Sequence, residues 1–110
     1  MVKLIALIHR KPGLSDDEFY NYWKDTHGPL VAGILPGVKR YTQNHFVRLP
    51  GVECDGDGIL ELWFDDMNAL QQYLRWRDSS EAESLRKDVA YFADPSKTVR
   101  YIATEHVILP

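Results

Sequence analysis

Apolar positions follow two rhythms along the chain. From Val2 to Arg10 (VKLIALIHR) aliphatic and β-branched residues crowd a short run that stops at Lys11-Pro12-Gly13, the profile of a strand. Alternation puts Lys3, Ile5, Leu7 and His9 on one face, and Val2, Leu4, Ala6, Ile8 and Arg10 on the other. Both faces are largely apolar, so both sides of the sheet are expected to be covered. A period near 3.6 then takes over. Ser15 followed by Glu18 has capping-box spacing, with acidic residues in the first turn to complement the helix dipole. Phe19, Tyr22, Trp23, Thr26 and Leu30 recur on one stripe, and His27 falls at its edge, roughly 40° beyond Trp23. Gly28-Pro29 should end or kink this helix, because Pro29 lacks an amide proton and its ring meets the carbonyl of Asp25. A short helical turn through Leu30 to Ile34 can follow before Leu35-Pro36-Gly37 stops it.

The alternating rhythm returns at Val38 to Arg48 (VKRYTQNHFVR) and again at Ile59 to Phe64 (ILELWF), with a turn-rich connection between them. Asp65 or Asp66 caps a further helix with Met67, Leu70, Tyr73 and Leu74 inward. Ser79 or Ser80 starts another, with Ala82, Leu85, Val89 and Phe92 inward, and Val99 to Ile108 forms the last strand. The order β-α-β-β-α-β is the ferredoxin-like arrangement, an α+β fold with one antiparallel sheet and helices on one face. The second face needs another cover. A second copy of the sheet is the simplest one, so a homodimer packed sheet against sheet is expected.

Composition narrows the options. A chain of 110 residues fits a single domain, and 45% hydrophobic with 26% charged residues is a globular composition. Thirteen Lys and Arg against sixteen Asp and Glu give a net charge of -3, without the basic excess a nucleic-acid binder shows. The N-terminal apolar run is too short to span a membrane and no signal-type cleavage site follows it, so the cytoplasm is the expected address. One cysteine, Cys54, excludes an internal disulfide and a multi-cysteine metal cluster. The four histidines have no paired spacing such as H-x-H, and Asp55-Gly56-Asp57-Gly58 lacks the glutamate of a calcium loop, so no metal is expected. No glycine-rich phosphate loop follows a strand, and a nucleotide cofactor has no support.

The segments LIHRKPGLSDDEFYNYWKDTHGPLV, LPGVKRYTQN and DGILELWFDDMNALQQYL, in this order over almost the whole chain, resemble the EthD-type family of dimeric α+β barrel proteins. Their most specific pieces are the W…HGPL end of the first helix and the LPG…Y…N entry to the second strand. The resemblance implies one such domain over residues 1–110, a dimer, and a fold similar to polyketide cyclases, muconolactone isomerase-like enzymes and haem-degrading monooxygenases. It bears on chemistry only loosely, because function belongs to the site and not to the fold.

His27 is the principal candidate. It can serve as general base beside an aromatic-lined gap, or its ring can cap a carbonyl freed by Pro29. The family resemblance favours the first, since HGPL lies where these folds keep their cleft. Tyr22, Trp23, Trp63 and Phe19 either pack the core or line the pocket. Tyr41 and His45 share one face of their strand and Asn44 takes the other. Asn44 or Tyr41 can steady an enolate oxygen; for Asn44 a bond to neighbouring backbone is the plainer role. These residues, together with what the family resemblance implies, point to a cofactor-free enzyme that abstracts a proton next to the carbonyl of a small hydrophobic, aromatic or polyketide-like compound, as a cyclase, decarboxylase or isomerase does. The alternatives are a non-catalytic dimer that binds such ligands and, behind it, a haem-binding monooxygenase.

Overall fold

Strands β1 (Val2–Ile8), β2 (Arg40–His45), β3 (Gly58–Phe64) and β4 (Val99–Thr104) make one antiparallel sheet in the order β2-β3-β1-β4. The computed structural model describes all residues from Met1 to Pro110. Register decides which side chains meet. Leu4 lies opposite Leu62, Ala6 opposite Leu60 and Ile8 opposite Gly58, and the rows continue across β3 to Tyr41, Gln43 and His45. On the other flank Arg100 lies opposite Ala6 and Ile102 opposite Leu4. These rows form the helix-covered face, where Leu4, Ala6, Ile8, Leu62 and Phe64 are buried.

Helices α1 (Asp16–Asn21), α2 (Gly28–Ala32), α3 (Met67–Arg77) and α4 (Glu83–Phe92) cover that face. Local chemistry starts them where expected. The Glu18 amide donates to the Ser15 hydroxyl at 3.1 Å, and the Ser15 amide donates to the Glu18 carboxylate at 3.0 Å. Asp66 caps α3 by accepting from the Ala69 amide at 2.8 Å. Ser79 leads into a 3-10 turn, Ser80–Ala82, that precedes α4.

The first helix departs from expectation at Pro29. It is not ended there. A π-helical turn, Tyr22–His27, joins α1 to α2, and the Gly28 amide donates to the Trp23 carbonyl five residues back. A widened turn accommodates a residue that can neither donate an amide proton nor tolerate the preceding carbonyl at normal spacing. The Trp23 carbonyl also accepts from Gln43 Nε2 on β2 at 2.9 Å. A Cβ at Gly28 would stand 2.9 Å from that same nitrogen and would push the Gln43 amide off the carbonyl.

The loop Leu49–Gly58 ends in a polar knot. Buried Asp57 accepts from the Arg10 amide at 2.8 Å and from the Arg48 guanidinium at 2.6 Å. Gly56 beside it has φ +81, and a Cβ there would sit 2.8 Å from Leu7 Cδ1.

The sheet's second face carries no helix. Lys3, Ile5, Leu7, Ile59, Glu61, Trp63, Thr42, Asn44, Val99 and Tyr101 alternate onto it. Tyr101 is 56% exposed there, so a single chain leaves this side without the cover its apolar residues lead one to expect. No helix is long and apolar enough to cross a membrane.

Candidate active site

The buried core is divided. Ala6, Ile8, Phe19, Trp23, Phe92 and Ala93 form one cluster, and Leu4, Leu62, Phe64, Leu70 and Tyr73 form a second. Domains of this size usually hold one contiguous core. The division falls at a hollow of about 60 Å³ between sheet and helices, walled by members of both clusters. Its polar lining comprises His27, Tyr41, Tyr73, Arg77, Thr98 and Arg100.

His27 ends the π turn and is only 4% exposed. Its Nδ1 lies 2.5 Å from Asp88 Oδ2, and the Tyr22 hydroxyl donates to Asp88 Oδ1 at 2.6 Å. A carboxylate accepts hydrogen bonds, so the proton is assigned to Nδ1 and the lone pair to Nε2. The helix therefore does not present His27 as a cap for its own carbonyls; a neighbouring helix orients it. Burial lowers the His27 pKa from its ordinary value, and the hydrogen bond and charge of Asp88 act in the opposite sense. The ring is thus neutral at neutral pH, with one nitrogen held and one unused. The Tyr22 hydroxyl is raised to about 12, first by its hydrogen bond to Asp88, and stays protonated.

Opposite the histidine stands a second polar group. The Tyr41 hydroxyl accepts from Gln43 Nε2 at 2.8 Å, while Gln43 Oε1 lies 2.9 Å from His45 Nε2. Burial raises the Tyr41 pKa, against smaller effects of the Gln43 amide and the nearby Trp23 indole, so Tyr41 remains a donor. Trp23 is fully buried, stacks on His45 with ring centroids 4.7 Å apart, and lines the hollow. Its indole N–H is close enough to influence Tyr41 yet makes no hydrogen bond of acceptable geometry.

Thus the structure brings His27, Tyr41 and Trp23 to one hollow, with Tyr22 bonded behind His27 through Asp88. Phe19 stands one layer back, packed against Trp23 and Phe92. Asn44 and Trp63 lie elsewhere. The register turns both onto the uncovered face of the sheet, away from the hollow. Asn44 Nδ2 is occupied by the Ile59 carbonyl at 2.9 Å and Glu61 at 3.2 Å, so the enolate-steadying part cannot be its own in this hollow. Trp63 donates to Glu105 at 3.0 Å, with Arg40 over its ring at 4.8 Å. Asp88, Arg77 and Arg100 escaped the sequence reading. A signal for Asp88 existed: it stands three residues after Leu85 and four before Phe92, a carboxylate on the inward stripe of α4. No group of three or more His, Cys, Asp or Glu side chains is placed to hold a metal ion.

A model of the EthD domain matches residues 11–96. This chain belongs to the EthD family. Among curated proteins, the chain is 28% identical over 112 residues to a conidial pigment biosynthesis dehydratase EthD of Metarhizium robertsii, covering 84% of this chain and 74% of that one. Among solved structures it resembles an ethyl tert-butyl ether D (EthD) family protein of Bacillus halodurans with a TM-score of 0.70 and 28% identity, over 96% of this chain and 99% of that one. It also resembles a dimeric ferredoxin-like protein from Thermobifida fusca, with a TM-score of 0.64 and 14% identity over 94% and 90% of the two chains. This EthD chain therefore has the ferredoxin-like α+β fold, a four-stranded antiparallel sheet with its helices on one face.

Proposed function

We propose that this EthD-family protein is a cofactor-free enzyme that takes a proton from the carbon beside a carbonyl in a small hydrophobic, aromatic or polyketide-like compound. One observation carries the reading: a buried imidazole whose Nδ1 is held by Asp88 at 2.5 Å lines an apolar hollow. An oriented, neutral imidazole is the usual general base at neutral pH. As the C–H bond breaks, its electron pair passes toward the carbonyl oxygen as an enolate, and the proton goes to Nε2. Asp88 stabilises the imidazolium, while the Tyr41 hydroxyl and the Trp23 indole N–H are donors suited to the enolate oxygen. Such a step needs one base and one donor, and calls on no metal or nucleotide.

Dehydration is the favoured outcome of that step, because the Metarhizium relative is named a dehydratase. The enolate expels a hydroxyl from the β carbon, a carbon–carbon double bond forms, and the imidazolium proton leaves with the hydroxyl as water. One histidine then acts first as base and next as acid, and ends in its starting state. The hollow, at about 60 Å³, has room for about two waters at about 30 Å³ each, so it takes the reacting atoms and leaves the rest of a larger substrate at its mouth.

The working unit in this proposal is a homodimer joined through the uncovered sheet face. Its support is that face, with Ile5, Leu7, Ile59 and Tyr101 and no helix over them, together with the dimeric state of the Thermobifida neighbour.

The aldol of acetone and benzaldehyde, a phenyl-bearing β-hydroxy ketone, tests the chemistry. In deuterated buffer the enzyme should speed deuterium uptake at the α carbon, followed by NMR, and form the conjugated enone, followed by absorbance. His27→Gln, checked for retained fold by circular dichroism, should lose about 10²–10⁴-fold in both rates. A folded His27→Gln protein with unchanged rates removes the assigned base. Absence of exchange above buffer across a panel of aryl β-hydroxy and β-keto compounds would instead favour a non-catalytic binding dimer.

A further inference from the structure

Two arginines of the hollow have no acidic partner. Arg77, on the last turn of α3, is half-buried; Arg100, on β4, is turned by register onto the helix-covered face opposite Ala6. Both line the cavity. Neither has a carboxylate within ion-pair distance. The one protein group facing both guanidinium groups is the neutral Tyr73 hydroxyl, which lies within hydrogen-bonding influence of Arg77 and leaves their charge unmatched. Three other arginines in this acid-rich chain are engaged: Arg10 pairs with Asp16 and Asp57, Arg48 with Asp57, and Arg86 holds the carbonyls of Arg77 and Ser79 at the end of α3. Asp78 beside Arg77 acts on Arg100 only at long range, and the two guanidinium groups act on each other unfavourably. Arg100 is exposed and Arg77 half-buried, so the pair stands at the mouth of the hollow and not in its depth; two cations there, with sixteen carboxylates in the chain and none paired to them, form a geometry that an anion would complete.

We propose that Arg77 and Arg100 clamp a carboxylate of the ligand at the mouth of the hollow, so that the compound taken by this protein is an aryl or polyketide-like carboxylic acid. The inference deepens the proposed function and rests on that reading for the location of the reacting carbon. The guanidinium fork matches a planar carboxylate in two parallel hydrogen bonds, which a neutral ester or amide cannot reproduce. The carboxylate would sit among Arg77, Thr98 and Arg100, and the apolar part of the ligand would point inward past Leu85 and Val89 toward His27.

Benzoate and benzamide are the probes, nearly equal in shape and different in charge. Calorimetric or NMR titration of the wild-type protein should give benzoate at least about tenfold tighter binding than benzamide, from charge-assisted hydrogen bonds. Arg77→Gln and Arg100→Gln should each weaken benzoate by about tenfold while moving benzamide less than about twofold. Arg75→Gln, an exposed arginine on the same helix, should change neither. Equal wild-type affinities for the two probes overturn the clamp, and that comparison stands even where a variant fails to fold. Undiminished benzoate binding in both folded variants overturns it as well. His27→Gln should retain the benzoate preference, so failure of the catalytic base and failure of the clamp are told apart.

Discussion

The two faces of the sheet each carry a carboxylate in a hydrogen-bonded group, and they differ in one respect. On the uncovered face Glu61 accepts from Lys3 at 2.9 Å, Asn44 at 3.2 Å and Thr42 at 3.4 Å. Every member donates to Glu61, and the Lys3 hydrogen bond, with help from Asn44 and Thr42, holds its carboxyl below the usual range. On the helix-covered side Asp88 of α4 accepts from Tyr22 and His27, but His27, which lines the hollow, has a second nitrogen without a hydrogen bond. The first network is closed and can only hold structure together. The second is open at one atom, and an open atom in a buried network is where chemistry can happen.

The sharpest way to break this contrast is to neutralise each carboxylate in turn. Asp88→Asn removes the acceptor that fixes the His27 tautomer and stabilises its charged form, so turnover of the β-hydroxy ketone should fall about 10²-fold or more. Glu61→Gln, on the other face, should stay within about threefold of wild type, because nothing in its network reaches the hollow. Steady-state rates for the two proteins settle the matter: equal losses would mean that the faces are not functionally distinct.

Next in size is the uncovered face's own role. Tyr101 is exposed in the single chain and few of its contacts would be lost on replacement, so Tyr101→Glu should fold normally. Across a sheet-to-sheet interface a tyrosine is a typical anchor, and a buried unpaired carboxylate is costly. The dimer dissociation constant measured by sedimentation should therefore rise by about tenfold or more. A wild-type protein that sediments as a monomer at tens of micromolar, or an unaltered dimer in the variant, would reject the interface.

The contrast also separates what could be read from the chain from what could not. Strand alternation already set Tyr41 and His45 apart from Asn44, and ILELWF already read as a strand. Which of those faces meets the helices depends on register, and Tyr41 falls opposite Leu62 only once β2 has paired with β3. His27 was legible as an edge residue of an aromatic stripe, but its route was not. Local rules favour a break at Gly28-Pro29, and the π turn survives because tertiary donors such as Gln43 satisfy the carbonyl it leaves. Asp88 lies 61 residues from its partner, and nothing near His27 in sequence announces it. Its place in the Leu85–Phe92 stripe was visible, yet a carboxylate on an apolar stripe has no meaning until something basic stands opposite. The approach of Arg77 to Arg100 is likewise a product of the fold.

The smallest effect expected is on stability, and it dates the two faces to different pH windows. Burial sets the folded His27 pKa below its ordinary 6.5, so between those values the unfolded chain binds more protons than the folded one. Stability from this group is complete above 6.5 and is lost as pH falls through the folded value. His45, also lowered chiefly by burial, adds to the same window. Glu61 is lowered from 4.5, so its contribution is complete above 4.5 and disappears only as pH falls further, through its own folded value. Urea titrations across the range should therefore show two falling limbs on acidification. His27→Gln should flatten part of the upper limb, leaving the share of His45, and Glu61→Gln should flatten part of the lower one, leaving the shares of Glu18 and Asp94. If His27→Gln left the upper limb untouched, the imidazole would not be buried neutral, and the open network on the helix-covered face would lose the base that distinguishes it from the closed one.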